Sequence, residues 1–300
     1  MLTAERRRLT NVRAKTATMR TFPPWAGRCL ITCVLVFLCA AAAGAKADSD
    51  SHAKVSLLAE ENSLTPGHPA WIGLFFDLEK EWHIYWVNPG RSGAALRVHW
   101  RLPRGFKAGE IHWPVPSRVG AGEVTDYGYE TRVLLPLLLQ VPANYSSGTR
   151  VKIVADVEYM ICRKLVCMIA EAQPTLSLPS THETATDSAA KLKMFQESRE
   201  SEPKPMPSGW KARAFDDGRN FVLTLESGAP ITKASFFPLV SNQLDNAAAQ
   251  TITPTRRGVQ ITLKKSAELA LRPRPIPTLK GIVVLAPHEA YEIAAPLGAQ

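Results

Sequence analysis

Residues 149–161 alternate between apolar and polar positions. Val151, Ile153, Ala155, Val157, Tyr159 and Ile161 share one phase, and Lys152, Asp156, Glu158 and Met160 share the other. A period of two describes a strand with one buried and one wet face. Carried one step further, the pattern puts Cys162 in the polar phase. After Cys167 the chain reads extended again through Thr175-Leu176-Ser177-Leu178, so the four residues between the cysteines form a hairpin link. Opposed residues in an antiparallel pair stand roughly 4.5–5.5 Å apart at Cα, within the reach of a disulfide. The pattern therefore predicts a bridgeable, solvent-reachable pair, Cys162 and Cys167, at a hairpin tip.

Similar segments flank this one. Residues 52–62 predict a first strand, Thr65-Pro66-Gly67 a turn, and Ala70–Leu78 a strongly apolar strand. Leu96, Val98, Trp100 and Leu102 alternate with Arg97, His99 and Arg101, and Arg132–Val141 is apolar again. Gly120–Glu130 reads as a long loop. Beyond residue 180 the character changes. Asp187–Glu200 predicts one short polar helix capped by Asp187, and Glu202–Pro207 a stiff, proline-rich linker. Alternation then resumes in Phe221/Leu223/Leu225 and Val259/Ile261/Leu263, followed by the continuous run Ile282–Leu285. The predicted architecture is all-β. A first sandwich spans 48–180, a helix and linker 181–208, and a second sandwich 209–300.

The formal charge of +9 on 300 residues points at first to a polyanion or a membrane surface. Its distribution removes that reading. Residues 1–47 hold eight Lys/Arg and one Glu, which leaves 28 basic and 26 acidic side chains, a charge of +2, for the rest. The basic stretch precedes an apolar run, Cys29–Ala43, and then Ala45-Lys46-Ala47. That order predicts a cleavable secretory signal over 1–47, with Asp48 as the first mature residue. The run is shorter than the roughly 20 residues a spanning helix needs. Cys29, Cys33 and Cys39 then leave with the signal, and the exported chain carries one cysteine pair, as expected in an oxidising compartment.

Chemistry concentrates at that pair. Arg163 and Lys164 adjoin Cys162, and neighbouring cations favour the thiolate that attacks disulfides. Charged hairpin tips are also common on solvation grounds alone. Met160, Cys162, Cys167 and Met168 together offer four soft sulfurs of the kind that select Cu(I), the alternative reading. A third possibility is a purely structural staple. The seven histidines show no metalloprotease spacing, and neither a nucleophile elbow nor a phosphate loop is present. Five tryptophans between residues 71 and 113 fit a sandwich core better than a stacking platform.

Several motifs occur in a fixed order: Trp82-His83-Ile84-Tyr85-Trp86-Val87-Asn88-Pro89-Gly90-Arg91-Ser92-Gly93, Trp113-Pro114-Val115-Pro116, Tyr127-Gly128-Tyr129-Glu130, and then the cysteine pair. Over residues 52–180 this series resembles the N-terminal periplasmic domain of DsbD/ScsB-type protein-disulfide reductases. Residues 209–300 resemble the second periplasmic domain of the ScsB-like branch more loosely. The resemblance implies immunoglobulin-like sandwiches and a periplasmic redox pair, Cys162 and Cys167, that works without a cofactor. It implies a separate membrane-embedded thiol-redox transporter as electron donor, because no membrane domain or thioredoxin-like C-x-x-C follows in this sequence. Periplasmic thioredoxin-like or other thiol proteins would be the acceptors. It also implies a cap over the disulfide. Tyr127 or Tyr129, flanking Gly128, is the expected cap; the competing expectation is that both are buried sandwich residues with bonded hydroxyls.

Overall fold

The computed structural model describes residues 51–121, 124–146, 148–181, 188–272 and 275–298; the predicted signal, residues 1–47, and Asp187 lie outside them. The first half contains β1 (Ala53–Ala59), β2 (Ala70–Leu78), β3 (His83–Tyr85), β4 (Arg97–Arg101), β5 (Lys107–Ile111), β6 (Ser117–Ala121), β7 (Val124–Glu130), β8 (Arg132–Gln140), β9 (Arg150–Arg163), β10 (Val166–Ala172) and β11 (Thr175–Pro179). Four strands form one sheet in the order β1-β2-β8-β5. The other sheet runs β10-β9-β3-β7-β6, with β4 and β11 also paired to β9.

The phase predicted for 151–161 decides how these layers meet. Ile153, Val157, Tyr159 and Ile161 of β9 are buried against Ile72, Leu74 and Phe76 of β2 and Leu135, Leu137 and Leu139 of β8. Phe76 and Tyr159 cross edge to face at 5.3 Å. Complete burial of each such side chain favours the folded state by about 1.5–3 kcal/mol.

The expected loop over 120–130 is mostly strand. β6 and β7 pair from Ser117↔Gly128 to Ala121↔Val124. Gly128 belongs in this strand because a Cβ there would run into the Ile84 carbonyl of neighbouring β3. The aromatic-glycine-aromatic run looked loop-like in sequence, but tertiary pairing overrides that weak local signal.

The second half adds α1 (Ala189–Glu200), β12 (Lys204–Pro205), β13 (Lys211–Asp216), β14 (Asn220–Glu226), β15 (Ser235–Pro238), β16 (Thr251–Thr255), β17 (Gly258–Lys264), α2 (Ala267–Leu271), β18 (Thr278–Ala286) and β19 (Glu289–Gly298). The N-cap position of α1 is Ser188. This polar helix docks through buried Phe195, a bond from Ser198 Oγ to the Leu134 carbonyl, and a bidentate Arg199–Glu60 pair at 2.7 and 2.9 Å. The segment expected to be a linker is partly sheet, since β12 pairs in parallel with β19.

These strands run β15-β18-β19-β13-β14-β17-β16. The alternating residues found in sequence are direct cross-strand partners: Phe221↔Leu263, Leu223↔Ile261 and Leu225↔Val259. β15 and β18 serve two cores at once. Phe236 and Val283 enter the core of the second half, whereas Phe237 and Ile282 enter the core of the first. A strand buried on both faces reads as an unbroken apolar run, which accounts for Ile282–Leu285. Residues 49–300 accordingly form one compact unit.

Candidate functional site

β9 and β10 are joined by a tighter link than the four residues expected. Arg163 pairs with Val166, which leaves Lys164 and Leu165 as a two-residue turn. Lys164 adopts a φ of 54°, the positive value that such hairpin turns require. The next pair is Cys162↔Cys167, disulfide-bonded with a Cα separation of 4.2 Å. That position is a non-hydrogen-bonded pair, where strands approach most closely and a bridge fits.

The two sulfurs have different surroundings. Cys167 is exposed on edge strand β10, whereas Cys162 is only 1% exposed. The expectation of a solvent-reachable pair therefore holds for Cys167 and fails for Cys162. Cys162 does lie in the polar phase, but neighbouring β3 covers that face. His83 pairs with Cys162 in register, so His83 and Tyr85 share its side of the sheet. The Tyr85 hydroxyl donates to Cys162 Sγ at 2.9 Å and lies 4.0 Å from Cys167 Sγ.

Burial pushes the Tyr85 phenol up to about 12, with the Asp126 carboxylate adding to the shift and a hydrogen bond with Ser92 opposing it. Tyr85 therefore remains a donor throughout the neutral range. Burial also lowers His83 from its usual 6.5, against the pull of Glu130 and Asp126, which favours a neutral imidazole beside the sulfur. The two rings cross edge to face at 5.3 Å.

The loop between β3 and β4, residues 86–96, holds Tyr85 in place. β3 and β4 pair along the same edge of β9, and the loop leaves the sheet between them. Gly93 lies against the Tyr85 ring, where an added Cβ would overlap Cδ1 and Cε1. Buried Asp126 on β7 ties the loop down. Its Oδ1 accepts from the Arg91 amide at 2.7 Å and the Ser92 amide at 3.1 Å, and its Oδ2 accepts from Ser92 Oγ.

The other residues singled out in sequence have different places. Tyr127 is fully buried, packs edge to face on Phe237 and donates to Asn246 Oδ1 at 3.0 Å. Tyr129 is buried and donates to the Pro114 carbonyl at 2.7 Å. Both are sandwich residues with bonded hydroxyls, and the phenol over the bridge is Tyr85. Arg163 falls in the phase opposite Cys162, with its guanidinium 5.4 Å from the centre of the Trp82 ring. The four-sulfur copper set is divided between faces. Met160 pairs with Ile169 on the cysteine side, while Met168 pairs with Ile161 and packs on the core. Both cysteine sulfurs are used by their mutual bond, and among the described residues no cluster of His, Cys, Asp and Glu could hold a metal ion.

Residues 54–179 match the family model described as thiol:disulfide interchange protein DsbD, N-terminal. The matched segment runs from β1 to β11, the extent of the first sandwich. The crystal structure of the N-terminal periplasmic domain of ScsB from Proteus mirabilis aligns with 84% of this chain and 96% of its own, with a TM-score of 0.63 and 16% identity. That likeness concerns the fold, and its extent takes in residues beyond the segment that the family model matches. A protein of unknown function from Porphyromonas gingivalis W83 covers 82% of this chain and 100% of its own at 12% identity, with a TM-score of 0.25. No curated protein matches.

Sequence inspection missed His83, Tyr85, Asp126 and Gly93 as members of the site. All but Asp126 lie in the motif Trp82–Gly93, and Asp126 immediately precedes Tyr127-Gly128-Tyr129. The density of unusual residues in those motifs was the available signal.

Proposed function

We infer that the DsbD-type domain exchanges thiols and disulfides through Cys162 and Cys167, with Cys167 as the sulfur that partners attack. The observation that carries this reading is the asymmetry of the bridge: one exposed sulfur, and one buried sulfur that already accepts from Tyr85. An incoming donor thiolate bonds to Cys167 Sγ. The Cys162–Cys167 bond breaks, and its electron pair leaves on Cys162 Sγ. The Tyr85 hydroxyl stabilises that charge, since hydrogen bonding to the ionised form favours it. The donor's second thiolate then attacks the donor sulfur of the mixed disulfide and frees Cys167. Two electrons and, after protonation, two protons have been transferred. In the reverse half-cycle Cys167 attacks an acceptor's disulfide, and Cys162 closes back on Cys167 to release the reduced acceptor.

The surface suits this use. Leu165, Val166 and Ile169 are exposed beside Cys167, with Leu165 86% so. An apolar rim around a reactive sulfur supports docking by a partner that covers it. The same reading takes 1–47 as an export signal and 48–180 as the redox sandwich. It takes 181–208 as helix and connector and 209–300 as a second immunoglobulin-like sandwich. The protein then works in the periplasm, receiving electrons from a membrane-embedded thiol transporter and passing them to thioredoxin-like or other thiol proteins. Among the described residues no helix is long and apolar enough to cross a membrane.

Trapping tests the assignment. Cys162→Ser leaves the exposed Cys167 without its resolving partner, so mixed disulfides with exported proteins should accumulate. Cys167→Ser leaves only the buried sulfur and should trap little. Equal trapping by both variants, or none by either, would reject the assignment.

A further inference from the structure

Loop 86–96 is held by the second half of the chain as well as by Asp126. Asn88 is 1% exposed, and both ends of its amide reach beyond the first sandwich. Its Nδ2 donates to the Pro238 carbonyl at 2.6 Å, and its Oδ1 accepts from Ser241 Oγ at 2.7 Å and from the Gly90 amide at 3.1 Å. Gly90, at φ 100°, leaves no room for a Cβ between Asp126 and Asn246. Pro238 ends β15, the strand whose Phe236 and Phe237 anchor it in both cores. The attachment point is therefore rigid. A continuous path runs from β15 through Asn88 and the loop to Gly93, the Tyr85 ring and Cys162 Sγ.

We propose that residues 204–298 are a positioning element for the redox site. Through Asn88 they hold loop 86–96 down on Tyr85, which keeps the phenol on the Cys162 sulfur. Asn88 and Ser241 are positioning residues that act through Tyr85 and touch neither sulfur themselves. The inference rests on the exchange reading only in treating the bridge as one that opens. Its chemistry is the delivery of a hydrogen bond to a thiolate, and a small thiol is enough to read it.

Two measurements on the exported chain test this. In a Cys167→Ser background, the pH profile of iodoacetamide alkylation reports the midpoint at which Cys162 ionises. In otherwise unaltered protein, the rate of bridge reduction by dithiothreitol reports departure of Cys162. Loss of one buried hydrogen bond loosens the loop by about tenfold. Asn88→Ala and Ser241→Ala are therefore expected to raise the midpoint by up to about one pH unit and to slow reduction by about threefold. Ser241→Thr keeps the hydroxyl and should retain the original values. Val259→Ala opens the second core away from Asn88 and should change melting without moving the midpoint. Combined with Tyr85→Phe, Ser241→Ala should add nothing, because the donor it positions is gone. An unmoved midpoint in both Asn88→Ala and Ser241→Ala overturns the proposal, as does an equal shift in Val259→Ala or an additive effect with Tyr85→Phe. If these shifts appear and Cys162→Ser traps no partner, the exchange reading fails and the positioning role stands. If partners are trapped and no shift appears, the positioning role alone fails.

Discussion

Tyr85→Phe removes one oxygen and leaves the ring under Gly93, so it isolates the hydrogen bond to Cys162 Sγ from the packing around it. In the disulfide the acceptor is a weak, neutral sulfur, and the bond contributes little. After the bridge opens, the same hydroxyl faces a buried thiolate. Hydrogen bonds to charged groups contribute about 1.5–3 kcal/mol, and one pKa unit corresponds to about 1.36 kcal/mol. The phenol therefore favours the Cys162 thiolate, against the opposing effect of burial. In the transition state the leaving sulfur carries a fraction of its final charge. Taking about half, in line with Brønsted coefficients for thiol exchange, the hydroxyl accelerates bridge opening about three- to tenfold. The variant should raise the Cys162 alkylation midpoint in a Cys167→Ser background by about one to two units. It should also slow reduction by dithiothreitol about three- to tenfold, with the melting temperature nearly unchanged. The sign distinguishes this reasoning from simple shielding. If Tyr85 served only to cover the bridge, removing its hydroxyl would leave reduction unchanged or faster, and the midpoint would stay where it was. Either result would refute the role assigned to the phenol.

Three further outcomes follow from the geometry. Gly93→Ala should cost about 1–3 kcal/mol in thermal or denaturant unfolding, because the new methyl overlaps the Tyr85 ring; it should also raise the Cys162 midpoint as Tyr85→Phe does. His83 is lowered by burial from 6.5, so the unfolded chain binds its proton first as pH falls. Stability should therefore decline below about that value until the folded-state midpoint is reached, and His83→Asn should flatten that part of the pH–stability curve; a curve of unchanged slope would dismiss this cause. Tyr129→Ala should lower stability by about 3–5 kcal/mol through the cavity it leaves, while the Cys162 midpoint of the protein that remains folded stays put.

The periodicity of the chain carried most of the fold. Strand β9, the phase of its core residues, and the partnership of Cys162 with Cys167 all followed from alternation, because a period of two fixes which face each side chain takes. The phases at 221–225 and 259–263 proved to be cross-strand neighbours for the same reason. Alternation could also place Cys162 on the polar face. It could not show that the polar face is covered there, because that depends on β3, a strand nearly 80 positions away in sequence. Tyr127 and Tyr129 looked like lids because they flank a glycine in a turn-like stretch. Gly128 is instead the place where one strand passes close to another, and the two tyrosines became core.

Local, periodic features could be read along the chain: strands, their buried faces, a hairpin with two cysteines at its neck, and a near-neutral body after a basic and apolar N-terminal stretch. Which sulfur is reachable, and what holds the other, emerged only from the three-dimensional packing. Those features arise where β3 with loop 86–96 that continues it, Asp126, and the end of β15 converge beside the cysteine hairpin from three separate parts of the chain. Burial, the donor at 2.9 Å and the anchoring of Asn88 are properties of that convergence. Solvent exclusion and hydrogen-bond geometry depend on distances through space, and no short stretch of sequence encodes them.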